Sequence, residues 1–265
     1  MAKPLKHNPL KQLYWQAIER NDRVPVAIKT NLRKAILRLQ DTGKRGQDDD
    51  LQAQIANCRS PEDYFDFSDR YLKSMQIREE ILAFIEFARS TQPDTICEIG
   101  IAHGGTHFLL GRLLPSVSLS IGIDLYVKQK SLLRQLAAPD RQSHYIDGLS
   151  QDPKTIAKVE CLLNGKKIDL LFIDGDHSYN GVRGDFFAYR HLIAENGIVV
   201  FHDIVPDYNA RYGISTPRYT GGVPQFYQEI KAFYPSQEFV NDREQDGYGI
   251  GTIRYSHNID LCALG

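Results

Sequence analysis

TICEIGIAHGGT, residues 95–106, is an apolar run that breaks on small residues and restarts as a helix. Thr95 to Ile99 has strand composition and closes on Glu98 and Gly100. Gly100, Ala102, Gly104 and Gly105 form a tight turn, and a helical pattern runs from Thr106 to Leu114. Glycines let a backbone approach a ligand without a Cβ in the way. The helix start points unpaired N–H groups at the same place. Read strictly, the dinucleotide fingerprint fails, because Ala102 stands where its second glycine belongs. The next apolar run, SLSIGIDL, ends on Asp124, where an acid after the second strand holds a ribose hydroxyl pair. Together the two signals predict a nucleoside-cofactor site.

Strands and helices alternate after that point. Helical patterns cover Ser131 to Ala138, Pro153 to Leu163 and Val182 to Ala194, the last two closed by Asn164-Gly165 and Asn196-Gly197. Strand patterns cover Ser143 to Ile146, Ile168 to Ile173 and Ile198 to Phe201. Such alternation predicts a Rossmann-like α/β fold, a doubly wound and mostly parallel sheet covered on both faces. Glu238 to Val240 and Tyr248 to Ile253 lie close enough for a hairpin, so the last strand of a seven-stranded sheet is expected to be antiparallel. The segment from Ile204 to Gly222 has no regular pattern and reads as a lid over a substrate.

Upstream, Ser60-Pro61-Glu62 signals a helix start, and Gln76 to Ala88 is an amphipathic helix. Residues 1–70 read as a helical extension, a lid or oligomerisation arm, 71–256 as the catalytic domain and 257–265 as a tail. Through Arg45 the extension carries eleven Lys/Arg against three acids. Leu10, Leu13, Tyr14, Ala17 and Ile18 recur at helical spacing, as do Ile28, Leu32, Ala35, Ile36 and Leu39. A solvated face or a dimer contact is the plain reading; docking of an anionic partner through Arg33, Lys34 and Arg38 is the sharper one.

The chain of 265 residues is 42% hydrophobic and 25% charged, with net charge −1. That balance fits a soluble protein and argues against wholesale nucleic-acid binding as a function class. Cys58, Cys97, Cys161 and Cys262 form no CxxC pair, as expected of reduced thiols in a cytoplasmic protein. No run has the length of a membrane span.

Three strand ends carry the polar chemistry. One holds Glu98 and the glycine turn, one holds Asp174, Asp176 and His177 in FIDGDHSY, and one holds His202 and Asp203 in VVFHDI. Asp174 and Asp203 offer oxygens to a hard cation, with His202 as a nitrogen ligand. His177, with an ordinary pKa of about 6.5, suits a general base.

The combination EIGIAHGGT, IDL, FIDGDHSYNGVRGD and GIVVFHDI resembles class I S-adenosylmethionine-dependent methyltransferases. The branch it is similar to includes cephalosporin hydroxylase-like proteins and metal-dependent sugar and macrolide O-methyltransferases. The resemblance runs from about Tyr71 to Ile253. It implies cofactor roles for Glu98, Gly100, Gly104 and Asp124. Ala102, Gly105, Thr106, Leu125, Gly148, Ser150 and Asp174 complete the expected cofactor set. It also implies Mg²⁺ on Asp174, His202 and Asp203, and a base at His177. Two departures stand out: some members have Glu at the position of His202, and Leu149 replaces an Asp that reaches the adenine, leaving Asp147 or Ser150 for that contact. The implied activity is O-methylation of a small hydroxylated molecule, a sugar or natural product, and a homodimer or larger homo-oligomer is expected. The alternatives are a nicotinamide-dependent oxidoreductase and an RNA-directed methyltransferase docking through the basic extension.

Overall fold

The computed structural model describes residues 51–264 and, ahead of them, residues 28, 31, 32 and 34–36. The chain divides into two compact units, Met1–Gln47 and Asp48–Gly265. In the first unit the described residues, Ile28 and Leu32 among them, are helical, as their spacing predicts. The helix expected over Leu10 to Ile18 lies outside the described residues.

In the second unit, helices α1 (Leu51–Asn57), α2 (Pro61–Leu72) and α3 (Arg78–Thr91) lead into strand β1 (Thr95–Ile99). Then follow α4 (Gly105–Leu113), β2 (Leu119–Asp124), α5 (Lys130–Leu136), β3 (Gln142–Asp147) and α6 (Pro153–Leu163). The second half runs β4 (Ile168–Ile173), α7 (Tyr179–Tyr189), β5 (Ile193–His202), α8 (Tyr208–Tyr212), α9 (Val223–Lys231), β6 (Ser236–Phe239) and β7 (Ile250–Arg254). The sheet order is β3-β2-β1-β4-β5-β7-β6. Strands β1 to β5 pair in parallel, and β7 runs antiparallel to both β5 and β6. The strand order reverses between β1 and β4, so the ligand crevice of such a sheet lies at the carboxyl ends there.

Strand parity builds the core. Ile96, Leu170, Phe172, Ile198 and Val200 pack with Phe84 and Leu109 on one face. Cys97, Ile99, Leu171, Ile173, Val199 and Phe201 pack with Phe186 and Phe226 on the other. Both faces are apolar because helices cover both, which is why these strands read as continuous runs.

The sheet-bearing unit begins at Asp48, earlier than the boundary at 70/71 read from sequence. Leu51, Ile55, Phe65, Phe67 and Leu72 are buried in the same cluster as the sheet. Helix α2 starts as expected: the Ser60 hydroxyl accepts from Asp63 N at 3.2 Å, and the Asp63 carboxylate accepts from Ser60 N at 2.9 Å. Such a reciprocal cap is worth about 1 kcal/mol.

Two elements differ from expectation. The helix read over Val182 to Ala194 ends at Tyr189, and β5 already begins at Ile193. Asn196, with φ 63, makes an irregularity within β5, not a helix stop; its N–H donates to Tyr255 O at 2.9 Å. The segment 204–222 carries the short helix α8 and is fastened at its neck: Thr220 N donates to the buried Asp207 carboxylate at 2.9 Å, and Asp207 N donates to Thr220 Oγ1 at 3.1 Å. Among the described residues no helix is long and apolar enough to cross a membrane.

Candidate active site

The turn after β1 is built by contacts between backbones. Gly100 has φ 92, and a Cβ there would overlap the carbonyl of Asp174. Asp174 N donates to Ile99 O at 2.8 Å, so β1 and β4 leave the sheet locked together. Gly104 has φ 85 and abuts Leu133, while Gly105 abuts the backbone of Ser74. Thr106 is buried, and its hydroxyl donates to Ser74 O at 3.4 Å. Ala102 occupies the left-handed region at φ 47, the strain a glycine would have avoided.

Asp124 closes β2 beside this turn. Its Oδ2 accepts from Ala102 N at 2.8 Å and its Oδ1 from Tyr126 N at 3.0 Å. Leu125, next in the chain, is half-buried. At the end of β3, Asp147 is engaged by Val127 N at 2.9 Å and Lys130 Nζ at 2.7 Å. Gly148 abuts the Thr155 hydroxyl. Ser150 donates its hydroxyl to Asp185 at 2.5 Å, so both polar side chains available after β3 are already engaged within the protein. Burial raises the Asp185 carboxyl to about 6.

Glu98 lies beneath the turn. Its parity with Ile96 turns it toward α4, where its carboxylate sits 3.1 Å from His107 Nδ1. At 1% exposure it is a buried brace, and burial raises it above the usual carboxylate range more than His107 lowers it. Nothing in the spacing of Glu98 and His107 announces this pair except the helical offset of His107 behind the turn.

The ends of β4 and β5 bring four titratable groups together. Asp174 Oδ1 lies 3.2 Å from both His177 Nε2 and His202 Nδ1. Asp203 Oδ2 lies 3.3 Å from His177 Nδ1 and 3.7 Å from His202 Nδ1. His177 Nδ1 also donates to the Tyr219 carbonyl at 2.7 Å, which brings the 204–222 segment onto the cluster. A carbonyl only accepts, so Nδ1 carries a hydrogen and Nε2 is the atom facing Asp174. Asp203 is held at φ 65, outside the usual strand region, with Tyr248 N donating to its Oδ1 at 2.9 Å. Backbone strain of this kind costs about 1–3 kcal/mol and marks a position fixed by its surroundings.

The charges reinforce each other. Burial alone raises Asp174, but the His202 and His177 imidazoles outweigh it and hold the carboxyl well below its usual range. Burial lowers both imidazoles, yet the facing carboxylates outweigh it and raise His177 and His202 to about 9. His202 is only 5% exposed, and neither of its ring nitrogens has a hydrogen-bond partner of good geometry among the described residues. Atoms of Asp174, His177 and Asp203 lie within 4.8 Å of one another, close enough to share one cation. That set contains His177, read from sequence as the base, in place of His202.

Residues 97–204 match the family model of a methyltransferase domain. The matched span runs from β1 to just past β5 and holds the glycine turn, Asp124 and the Asp/His cluster. The chain's fold is shared with the O-methyltransferase TomG from Streptomyces achromogenes, involved in tomaymycin synthesis and solved with S-adenosylmethionine. That likeness has 15% identity and TM-score 0.53, covering 84% of this chain and 96% of that one. An O-methyltransferase from Bacillus cereus in complex with S-adenosylhomocysteine is similar over 85% of this chain and 100% of that one, with 16% identity and TM-score 0.51. An uncharacterised protein of Acanthamoeba polyphaga mimivirus is 41% identical over 59 residues, 22% of this chain. The match spans about a quarter, 26%, of that relative's own length. The matched span thus brings the strand-order switch, Asp124 and the Asp/His cluster together at the carboxyl ends of the sheet.

Proposed function

We propose that the chain transfers a methyl group from S-adenosylmethionine to a hydroxyl of a small molecule, a sugar or natural product, with help from a divalent cation. The observation that carries the reading is the convergence of Asp174, His177 and Asp203 beside the β1 and β2 ends. The residues fit both groups. Around the turn, the Ser74 hydroxyl and the Gln76 amide are buried without a protein partner among the described residues, as expected of a wall that a polar ligand completes. The two acids are oxygen donors of the kind hard cations take.

Bound there, S-adenosylmethionine supplies an electrophilic methyl carbon. Asp124 would hold the ribose, and the backbone from Gly100 to Gly105 would line the amino-acid end. A divalent cation on Asp174 and Asp203 supplies positive charge that stabilises a developing alkoxide or phenoxide. His177 Nε2 would take the hydroxyl proton, and its Nδ1–H stays on the Tyr219 carbonyl, which fixes the ring. The fastened 204–222 segment would exclude water and hold the acceptor in line, and positioning of this kind supplies much of the rate.

The test is calorimetric titration with S-adenosylhomocysteine, with and without Mg²⁺, followed by turnover of hydroxylated acceptors with and without EDTA. Micromolar binding, turnover of a hydroxyl acceptor and loss of activity in EDTA are expected. A folded sample that binds no S-adenosylhomocysteine would end the methyltransfer reading. Full activity in EDTA would remove the cation.

A further inference from the structure

Arg218 stands one aromatic ring away from the Asp/His cluster. Its guanidinium carbon lies 3.9 Å from the centroid of the Tyr248 ring, whose other neighbour is the His202 ring at 6.0 Å. The next residue, Tyr219, places its carbonyl on His177. The backbone N–H of Tyr248 holds Asp203. Arg218 is therefore anchored on both sides to residues that touch the cluster.

Its hydrogen-bond fork has no partner among the described residues. The side chain is half-buried, and burial lowers its pKa. Among the described residues the guanidinium makes no hydrogen bond and no ion pair; only its backbone N–H is engaged, on Thr216 Oγ1 at 3.2 Å. The nearest acids are committed elsewhere. Asp203 is taken by Tyr248 N and His177, and Asp246 by Tyr208 N at 2.8 Å and the Thr216 hydroxyl. Arg211, in the same segment, shows the contrast: it binds Glu244 at 3.1 Å and two backbone carbonyls.

A planar guanidinium stacked on a ring is held in one orientation, with its hydrogen-bond fork open to a carboxylate or phosphate. We propose that Arg218 sets the acceptor class: it pairs with an anionic group, carboxylate or phosphate, on the hydroxylated molecule that the site methylates. The inference rests on the methyltransferase reading and narrows it to anionic acceptors.

The experiment begins with protein shown by calorimetry to bind S-adenosylhomocysteine; failure at that step strikes the function, not this inference. The loaded protein is then titrated with 3,4-dihydroxybenzoate and its methyl ester, and with glucose 6-phosphate and glucose. At least one anion should bind about tenfold or more tighter than its neutral partner, the range of a charge-assisted pair. The pair that shows the difference tells carboxylate from phosphate. In R218Q the preference should fall to within about twofold while S-adenosylhomocysteine affinity is kept, and R218K should lie between, because it keeps charge and loses the fork. Should R218Q not fold, the comparison in the native protein and in R218K still decides. Binding of neither anion, equal affinity for charged and neutral partners, or an undiminished preference in R218Q would each overturn the proposal.

Discussion

Replacing His177 by Gln should change how stability depends on pH in a defined window. In the folded chain His177 is raised from 6.5 to about 9: burial opposes the charge, but the Asp174 hydrogen bond and the Asp203 and Asp174 carboxylates outweigh it. A basic group raised on folding stabilises the fold fully below its unfolded pKa, and that gain is lost as pH rises through its folded pKa. For His177 the gain is complete below pH 6.5 and fades toward pH 9. At about 1.4 kcal/mol per pH unit the shift is worth about 3 kcal/mol, reduced to about 2 kcal/mol for a partly exposed side chain. The gap in unfolding free energy between the native chain and H177Q should therefore be largest at pH 6 and narrow by about 2 kcal/mol by pH 9. Urea denaturation in EDTA, followed by circular dichroism at pH 6, 7, 8 and 9, measures it. Buried thiols and phenols that ionise above pH 8 cancel in the difference, since both proteins carry them. A gap constant to within about 0.5 kcal/mol would refute the charge pairing inferred from the geometry.

Two further substitutions test how the site is held. Gly100→Ala demands a left-handed backbone at φ 92 and puts a Cβ into the Asp174 carbonyl, so a loss above about 4 kcal/mol or no folded protein is expected, read by urea denaturation of soluble material. Glu80 is 2% exposed and accepts from Asn241 N at 2.9 Å, Gln245 Nε2 at 2.7 Å and Gly249 N at 2.9 Å. Glu80→Ala orphans these donors and should cost about 3 kcal/mol, with faster amide exchange at Tyr248; unchanged exchange there would show that the loop holds Asp203 without Glu80.

Much of the fold was legible because parallel strands covered on both faces have no choice but to be apolar throughout. Ile168 to Ile173 and Ile198 to Phe201 read as buried strands on that ground alone, and their carboxyl ends had to carry the polar residues. The misreading at Asn196-Gly197 has a physical cause. A helix stop and an irregularity within a strand ask for the same positive φ, and only the bond to Tyr255, 59 positions later, distinguishes them. The extent of the sheet-bearing unit was missed for a related reason. The aromatics from Tyr64 to Tyr71 announce burial but not against what; their partner is α4, which Ser68 meets through a hydroxyl bond to Gly105 O at 2.9 Å. Contacts that span the chain, such as Glu80 with Gly249 or Tyr219 with His177, leave no local pattern to read.

The glycine turn shows how a motif is legible while its cause is not. Its glycines suggest room for a ligand, yet Gly100, Gly104 and Gly105 each meet another part of the protein: the Asp174 carbonyl, Leu133 and the Ser74 backbone. They serve to draw the β4 end, α5 and the α2–α3 link tightly around one point. A ligand crevice at that point is a consequence of three elements meeting there, and the same tight packing fixes Asp174 against β1. Glycine turn and Asp/His cluster are thus mechanically one unit. The chemistry adds a condition. With Nδ1 hydrogen-bonded to a carbonyl and Nε2 facing a carboxylate, His177 holds two protons near neutral pH and cannot take a third. Service as a base requires that other positive charge satisfy Asp174 and Asp203 first, since a neutral imidazole is favoured only when those carboxylates no longer need it. A cation on the two acids and a proton acceptor at His177 therefore stand or fall together, and Mg²⁺ should release protons on binding near pH 7.5. Calorimetry in buffers of different ionisation enthalpy would count them: about one to two per ion supports the coupling, and none would separate the base from the cation.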